Sequence, residues 1–346
     1  MDSAVNLEDP SRVLNRIKIK NNFEFDPSKI EYVVACSGGN DSICLAEHMI
    51  ENYPKDSFLI LYNDTGWARK DWPARMQRVS DMLKEKGVPF VSTISIGFEQ
   101  MVREHKGFPM PASAMQFCTQ ELKTMPTLKF LKENDPNCEW TIVTGRRREE
   151  SNNRAGLAMY EYETSLYEGR DVFNPLIMFD EKQRDEKIHQ FGLTPLPHSS
   201  MECFPCVCSN KDDLIELKKW PGELISVKNL ELEMGHTRNG KPRVMFRPYR
   251  AGGGVGIENV IKWAEGKRGT KIHEFPKEYM ITGVDYSGYR GNMTSKERVF
   301  FWAGIKEQCV ALGHDLTNLP TDIAYDDTTS EGVEFSRQCD GGLCGN

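Results

Sequence analysis

Two kinds of apolar run alternate along the first half of the chain. EYVVAC (31–36) and SFLILYN (57–63) are short and continuous and read as buried strands, while SICLAEHMIENY between them has the apolar spacing of a helix. Two strands joined by a helix make a right-handed parallel crossover. The alternation continues: DWPARMQRVSDMLKEKG predicts a helix, VPFVSTISI a strand, ELKTMPTLKFLKEN a helix and EWTIVTG a strand. The order predicts an α/β fold, a doubly wound and mostly parallel sheet with ligands at the carboxyl ends of its strands.

The pattern also divides the chain. Residues 1–30 read as a polar lead-in with one short helix around SRVLNRIKI, and 31–208 as the α/β domain, ending in a stretch over about 180–210 that prolines (GLTPLPHSS) assign to loops. Helical patterns at NKDDLIELKKW, IENVIKWAEG and SKERVFFWAGIKEQCVALG predict a mainly helical extension over 209–330, and the polar, glycine-rich residues 331–346 a flexible tail. No internal repeat is visible.

Composition narrows the class. The 346 residues are 39% hydrophobic, enough for a packed core, since chains near this size bury roughly 75% of their unfolded surface. A net charge of -7 argues against wholesale coating of DNA, though not against local basic patches. No basic-then-apolar leader opens the sequence, and no stretch approaches the roughly 18 apolar residues of a membrane span. The expectation is a cytoplasmic protein without membrane contact. Its ten cysteines then stay reduced and serve as metal ligands, nucleophiles or small core residues.

The candidate chemistry begins at Ser37-Gly38-Gly39-Asn40-Asp41-Ser42, between the first strand and a helix expected to start at Asp41 or Ser42. Bare glycines let backbone N–H groups approach an anion, and the helix start adds unpaired donors and a favourable dipole. No Walker lysine follows. The plain reading is a tight turn in which Asp41 or Ser42 caps the helix. The SGGxDS pattern after an apolar strand resembles the PP-loop of the adenine nucleotide α-hydrolase superfamily, whose members grip the phosphates of ATP and sulfonucleotides.

Further motifs narrow the resemblance. Strand two ends in Asp64-Thr65-Gly66, either a solvated Asx-turn or, by likeness to sulfonucleotide reductases, a loop close to the nucleoside. Strand four runs into Thr144-Gly145-Arg146-Arg147-Arg148-Glu149-Glu150-Ser151-Asn152-Asn153-Arg154. Guanidinium forks suit phosphate and sulfate, the plain alternative being a charged solvated face offset by Glu149 and Glu150. The order resembles the TGxRRxxSxxR loop of PAPS and APS reductases, which implies Gly145, Arg147, Arg148, Ser151 and Arg154 as ligands.

Cys118 and the run Cys203-Phe204-Pro205-Cys206-Val207-Cys208 complete the pattern. CxxC places two thiolates on one turn and a distant cysteine completes a cage. This resembles cluster-bearing reductases and the ATP pyrophosphatases of DNA phosphorothioation. It implies a [4Fe-4S] cluster on Cys118, Cys203, Cys206 and Cys208, with zinc and a metal-free packing role as alternatives. APS reductases carry a Cys-Cys pair where this chain has Cys118-Thr119, so one familiar ligand is missing.

The tail holds Cys339 and Cys344, the latter followed by glycine. The resemblance implies a nucleophilic thiolate there, Cys344 first and Cys339 as the alternative, with a thioredoxin-like reductant as partner. Three functions follow: reduction of PAPS or APS to sulfite, ATP pyrophosphatase activity with Mg²⁺ that activates DNA or tRNA for sulfur insertion, or a non-enzymatic nucleotide-binding module. Cys36, Cys44, Cys138 and Cys309 read as packing residues. The RAGGGVG run (250–256) reads as a loop with a second anion nest as its alternative, and His198, Lys123 and Lys211 stand out beside the cysteines.

Overall fold

The structure, a computed structural model, describes residues 24–110, 116–150, 154, 156–246, 254–266, 272–291 and 293–314. The helix expected around SRVLNRIKI, Ser151 and the tail with Cys339 and Cys344 lie outside these residues. Two compact units divide the described chain, one formed by 24–101 and 116–206 and the other by 102–110 and 207–314.

The first unit contains the sheet. Strands β1 (Tyr32–Ala35), β2 (Phe58–Asp64), β3 (Phe90–Ile94), β4 (Thr141–Val143), β5 (Tyr160–Thr164) and β6 (Arg170–Phe173) stand in the order β3-β2-β1-β4-β6-β5. All pairs are parallel except β5 with β6, an antiparallel edge. Between the strands run α1 (Asn40–Asn52), α2 (Trp72–Glu85), α3 (Phe98–His105) and α4 (Met125–Asn134), the last entered through a short helix Phe117–Thr119 and a π-helical turn Gln120–Thr124.

Burial on both faces explains the continuous apolar runs. Val33, Ala35, Leu59, Leu61, Val91, Ile142 and Val172 pack with Leu128 and Leu131 of α4, while the alternate positions Val34, Phe58, Ile60 and Val143 are buried on the opposite face. From β1 the chain winds outward to β2 and β3, then returns to place β4 on the other side of β1. The loops after β1 and β4 therefore flank the switch point of the sheet, where such folds open a crevice.

Some elements differ from the sequence reading. The stretch assigned to loops over about 180–210 contains α5 (Glu181–Phe191), which packs against α1. Its ends were written locally: Asp180 and Gln183 form a reciprocal capping box, and Gly192 closes the helix at φ 104°. The prolines lie beyond that glycine. Strands β5 and β6 were not foreseen because YEYETSLYEGRDVF mixes charges into both strands; β6 nevertheless buries Arg170, which donates to Asp135 (3.0 Å). Cys138 is exposed and held at φ 60°, so it is not a packing residue, whereas Cys36, Cys44 and Cys309 are buried.

The second unit is helical: α6 (Lys211–Glu216), α7 (Pro221–Met234), α8 (Ile257–Glu265) and α9 (Ser295–Ala311). α7 escaped the sequence reading because its apolar residues are spread around the helix. Its centre is Glu231, fully buried, which accepts hydrogen bonds from the N–H groups of Met245 (2.9 Å) and Ile257 (3.0 Å) and from the Tyr279 hydroxyl (2.5 Å). A carboxylate of the chain thus occupies the start of α8, and the described end of the glycine run serves as a loop onto it, with Gly256 at φ 82° against the Tyr279 ring. Among the described residues no helix is long and apolar enough to cross a membrane.

Burial raises the Glu231 pKa from 4.5 to about 7. Between those values the folded state holds a proton that the unfolded chain has released, so this contribution to stability is present below about pH 4.5 and is lost as pH rises through about 7. Urea midpoints compared at about pH 5 and about pH 8 should show this loss, and Glu231→Gln should flatten it.

Candidate anion site at the switch point of the sheet

β1 delivers the chain to Cys36, whose N–H is still bonded to Leu61 of β2 (2.9 Å), and the turn follows at once. Gly38 sits at φ 76°, and a Cβ there would stand 2.3 Å from the Met76 sulfur and 3.3 Å from the Trp72 ring. Glycine is therefore required twice, by the backbone and by the helix packed beneath it. Trp72 Nε1 donates to the Ser37 carbonyl (3.1 Å) and Arg75 Nε to the Gly38 carbonyl (2.9 Å). A trans peptide carries its N–H opposite its C=O, so these two bonds aim the N–H groups of Gly38 and Gly39 away from α2.

α1 starts one residue earlier than the sequence implied. Its N-cap is Gly39, without a side-chain cap, and neither Asp41 nor Ser42 fills that role. The first-turn N–H groups have no acceptor within the helix and remain available to an anion. The Ser42 hydroxyl donates instead to the Gly39 carbonyl (2.9 Å), and the Asn40 amide clamps Leu196 through its N–H (2.8 Å) and carbonyl (2.9 Å). The Ser37 hydroxyl is buried and has no hydrogen-bond partner. A ligand oxygen would supply one.

The loop after β4 meets this corner from the other side. At Gly145 a Cβ would lie 3.1 Å from the Asp41 carbonyl oxygen, so the two backbones nearly touch. Arg147 reaches the first turn of α1, where Nε donates to Asp41 Oδ1 (2.6 Å), and its Nη1 also meets Glu149 (3.2 Å). Arg154 is buried against Glu150. Arg148 turns outward, exposed, with Nε and Nη2 on the Leu157 carbonyl (3.3 and 3.0 Å). The turn and the arginine loop thus converge, but the structure brings in Arg147 and leaves Arg148 outside. Ser151 lies outside the described residues.

Asp64, Thr65 and Gly66 form the Asx-turn foreseen as the plain alternative, Gly66 N–H donating to Asp64 Oδ1 (2.8 Å). The loop is knitted to the cysteine turn. Thr65 donates to Glu202 through its N–H (3.0 Å) and hydroxyl (2.7 Å), Phe204 N–H to the Trp67 carbonyl (2.8 Å), and Trp67 Nε1 to the Pro205 carbonyl (3.0 Å). Glu202 also accepts from the Tyr62 hydroxyl and is fully buried; desolvation, then the nearby Asp64 charge, raises its pKa to about 8. His198 faces Arg69 (3.4 Å), Lys123 is buried, and Lys211 lies 4.4 Å from the centre of the Trp263 ring.

Cys118, Cys203, Cys206 and Cys208 are each half-buried. Cys203 and Cys206 belong to the sheet unit and Cys208 to the helical one. Among the described residues no group of three or more His, Cys, Asp or Glu side chains is placed to hold a metal ion. Glu202, Asn40, Trp72 and Arg75 were missed as site residues. Only DWPAR held a signal, its proline starting α2 just after the DTG loop.

A sheet crevice with a glycine turn at a helix start is the site of a nucleotide- or phosphate-binding α/β protein. Residues 31–196 match the model of the phosphoadenosine phosphosulfate reductase domain, the family to which this part of the chain is similar. An uncharacterized 37.8 kDa protein of Escherichia phage 186 is 26% identical over 182 residues, 49% of this chain and 51% of its own length. An uncharacterized protein of Methanocaldococcus jannaschii is 29% identical over 137 residues, 40% of this chain and 26% of its own. The chain thus matches about half of the phage protein (51%) and about a quarter of the archaeal one (26%). Among solved structures, the phosphoadenylyl-sulfate (PAPS) reductase of Candida auris in its phosphate complex aligns with a TM-score of 0.34 and 17% identity, over 54% of this chain and 81% of that one.

Gly38→Ala should destabilise the protein by about 1–2 kcal/mol from the left-handed backbone alone. It should also lower pyrophosphate affinity. Gly39→Ala, at φ -76°, should cost less in both. Chemical denaturation and calorimetric titration with pyrophosphate check the pair.

Proposed function

We propose that the protein binds an adenine sulfonucleotide, PAPS or APS, with its phosphates on the Ser37–Ser42 turn, and reduces it to sulfite. The observation that carries the binding is the buried, unpartnered Ser37 hydroxyl beside N–H groups aimed away from α2. The family of residues 31–196 supports an adenine sulfonucleotide as the ligand. The chemistry rests on the tail. The thiolate of Cys344, or of Cys339 in its place, attacks the sulfate sulfur; an S–S bond forms, the S–O bond to the nucleotide phosphate breaks, and its electron pair leaves with the nucleotide. A thioredoxin-like dithiol then attacks the cysteine sulfur, sulfite departs, and the dithiol ends as a disulfide.

One observation favours a second reading. Arg147 and Arg154 are already matched by Asp41 and Glu150, so less positive charge faces the ligand than a sulfonucleotide alone would call for. ATP arrives with Mg²⁺ and brings its own neutralising charge. Under this reading the protein is an ATP pyrophosphatase that activates DNA or tRNA. A role as a nucleotide-binding module remains if neither reaction occurs.

Sulfite released from PAPS or APS with thioredoxin, and lost in Cys344→Ser, is the expected result. Pyrophosphate release from ATP that requires DNA or tRNA, without sulfite, would replace it by the second reading.

Cys118, Cys203, Cys206 and Cys208 are proposed as thiolate donors to a [4Fe-4S] cluster, with zinc as the rival. Metal analysis of anaerobically purified protein should find iron and acid-labile sulfide with a broad band near roughly 400 nm. Zinc alone, or neither metal, would reject the cluster.

A further inference from the structure

The arginine loop does not supply the free positive charge that an oxyanion on the turn would call for. At this corner Arg69 is paired with Asp71, Arg146 with Glu161, Arg147 with Asp41 and Arg154 with Glu150, while Arg148 holds a carbonyl. Arg75 differs from all of them. Among the described residues it meets no carboxylate, and its Nη2 is buried without a hydrogen-bond partner. The guanidinium is nonetheless fixed in place. Its Nε is bonded to the Gly38 carbonyl (2.9 Å), and it lies 5.4 Å from the centre of the Trp72 ring.

A buried donor without an acceptor costs free energy, and a half-buried cation without a counter-ion costs more. Burial lowers the Arg75 pKa and the Arg78 charge lowers it further, while Cys36 and the Asp71 charge offset this only in part. On the residue before Gly38, the Ser37 hydroxyl is also buried and unpartnered. Both vacancies are met by one class of ligand, an oxyanion with several acceptor oxygens.

We propose that Arg75 is the cationic ligand of this site, binding a phosphate or sulfate group of the nucleotide seated on the Ser37–Gly39 turn. The proposal rests on reading that turn as the nucleotide phosphate site. Arg75 acts there in two ways: Nε holds the Gly38 carbonyl and so orients the Gly39 N–H, and Nη2 donates to the anion. A lysine offers charge but no fork, and a glutamine offers a donor but no charge.

The test is calorimetric titration of wild type, Arg75→Met, Arg75→Gln and Arg75→Lys with PAPS, ATP, inorganic pyrophosphate and adenosine. Arg75→Met should weaken the three anionic probes by about 10- to 100-fold, the usual worth of a charged hydrogen bond, and leave adenosine unchanged. Arg75→Lys should recover part of the loss. If Arg75→Met does not fold, Arg75→Gln is read in the same way, since it keeps a donor for Gly38. Wild-type affinity for pyrophosphate in the neutral variants overturns the proposal, as does an equal loss for adenosine and pyrophosphate, which marks a structural role. A wild type that binds pyrophosphate but no adenine nucleotide overturns the proposed function alone, and the Arg75 comparison then stands on pyrophosphate. A wild type that binds no anion overturns both.

Discussion

The orientation of two peptide groups, Ser37–Gly38 and Gly38–Gly39, decides what the carboxyl end of the sheet can bind. A glycine turn has many backbone states open to it and would by itself present carbonyls as readily as N–H groups. Trp72 and Arg75 remove that freedom by donating to the two carbonyls from α2. The N–H groups then point away from α2. Met76, packed where a Gly38 side chain would be, leaves no room for the turn to relax.

Charge is arranged around this geometry in an unexpected way. Asp41 places a carboxylate in the first turn of α1, which would repel a phosphate from the helix start. Arg147 cancels it at 2.6 Å inside a buried pair. Arg147 of the arginine loop thus neutralises a carboxylate at the start of the helix. Removing one partner of such a buried pair would leave an uncompensated charge, typically a loss of about 3–5 kcal/mol.

The DTG loop and the cysteine turn form one piece. Glu202, from the residue before Cys203, receives bonds from Tyr62 and Thr65, and the Trp67 indole reaches the Pro205 carbonyl. Any displacement of the cysteine turn is thereby felt at the carboxyl end of β2, beside the crevice. The family match ends at residue 196, before this turn and before the helical unit.

Local patterning accounts for most of the sheet. The runs at 31–36 and 57–63 became β1 and β2 because strands buried on both faces must be apolar throughout. The turn at Ser37–Ser42 was readable for the same local reason, since two glycines before a helix start expose N–H groups wherever they occur. The capping box and glycine of α5 were also in the sequence, but the nearby prolines drew attention from them. By contrast, β6 and the buried Arg170 depend on Asp135, a partner 35 positions away, and no spacing rule reports such a pair.

What the sequence determined by itself was the α/β order and the glycine turn at the start of α1, because both follow from interactions between near neighbours in the chain. Only the tertiary structure decided which arginine carries an unmatched charge. Arg147, Arg148 and Arg154 are equivalent by motif, and no motif singles out Arg75 within its helix. Their roles were settled by which carboxylates the fold placed beside them, at separations of up to 106 residues.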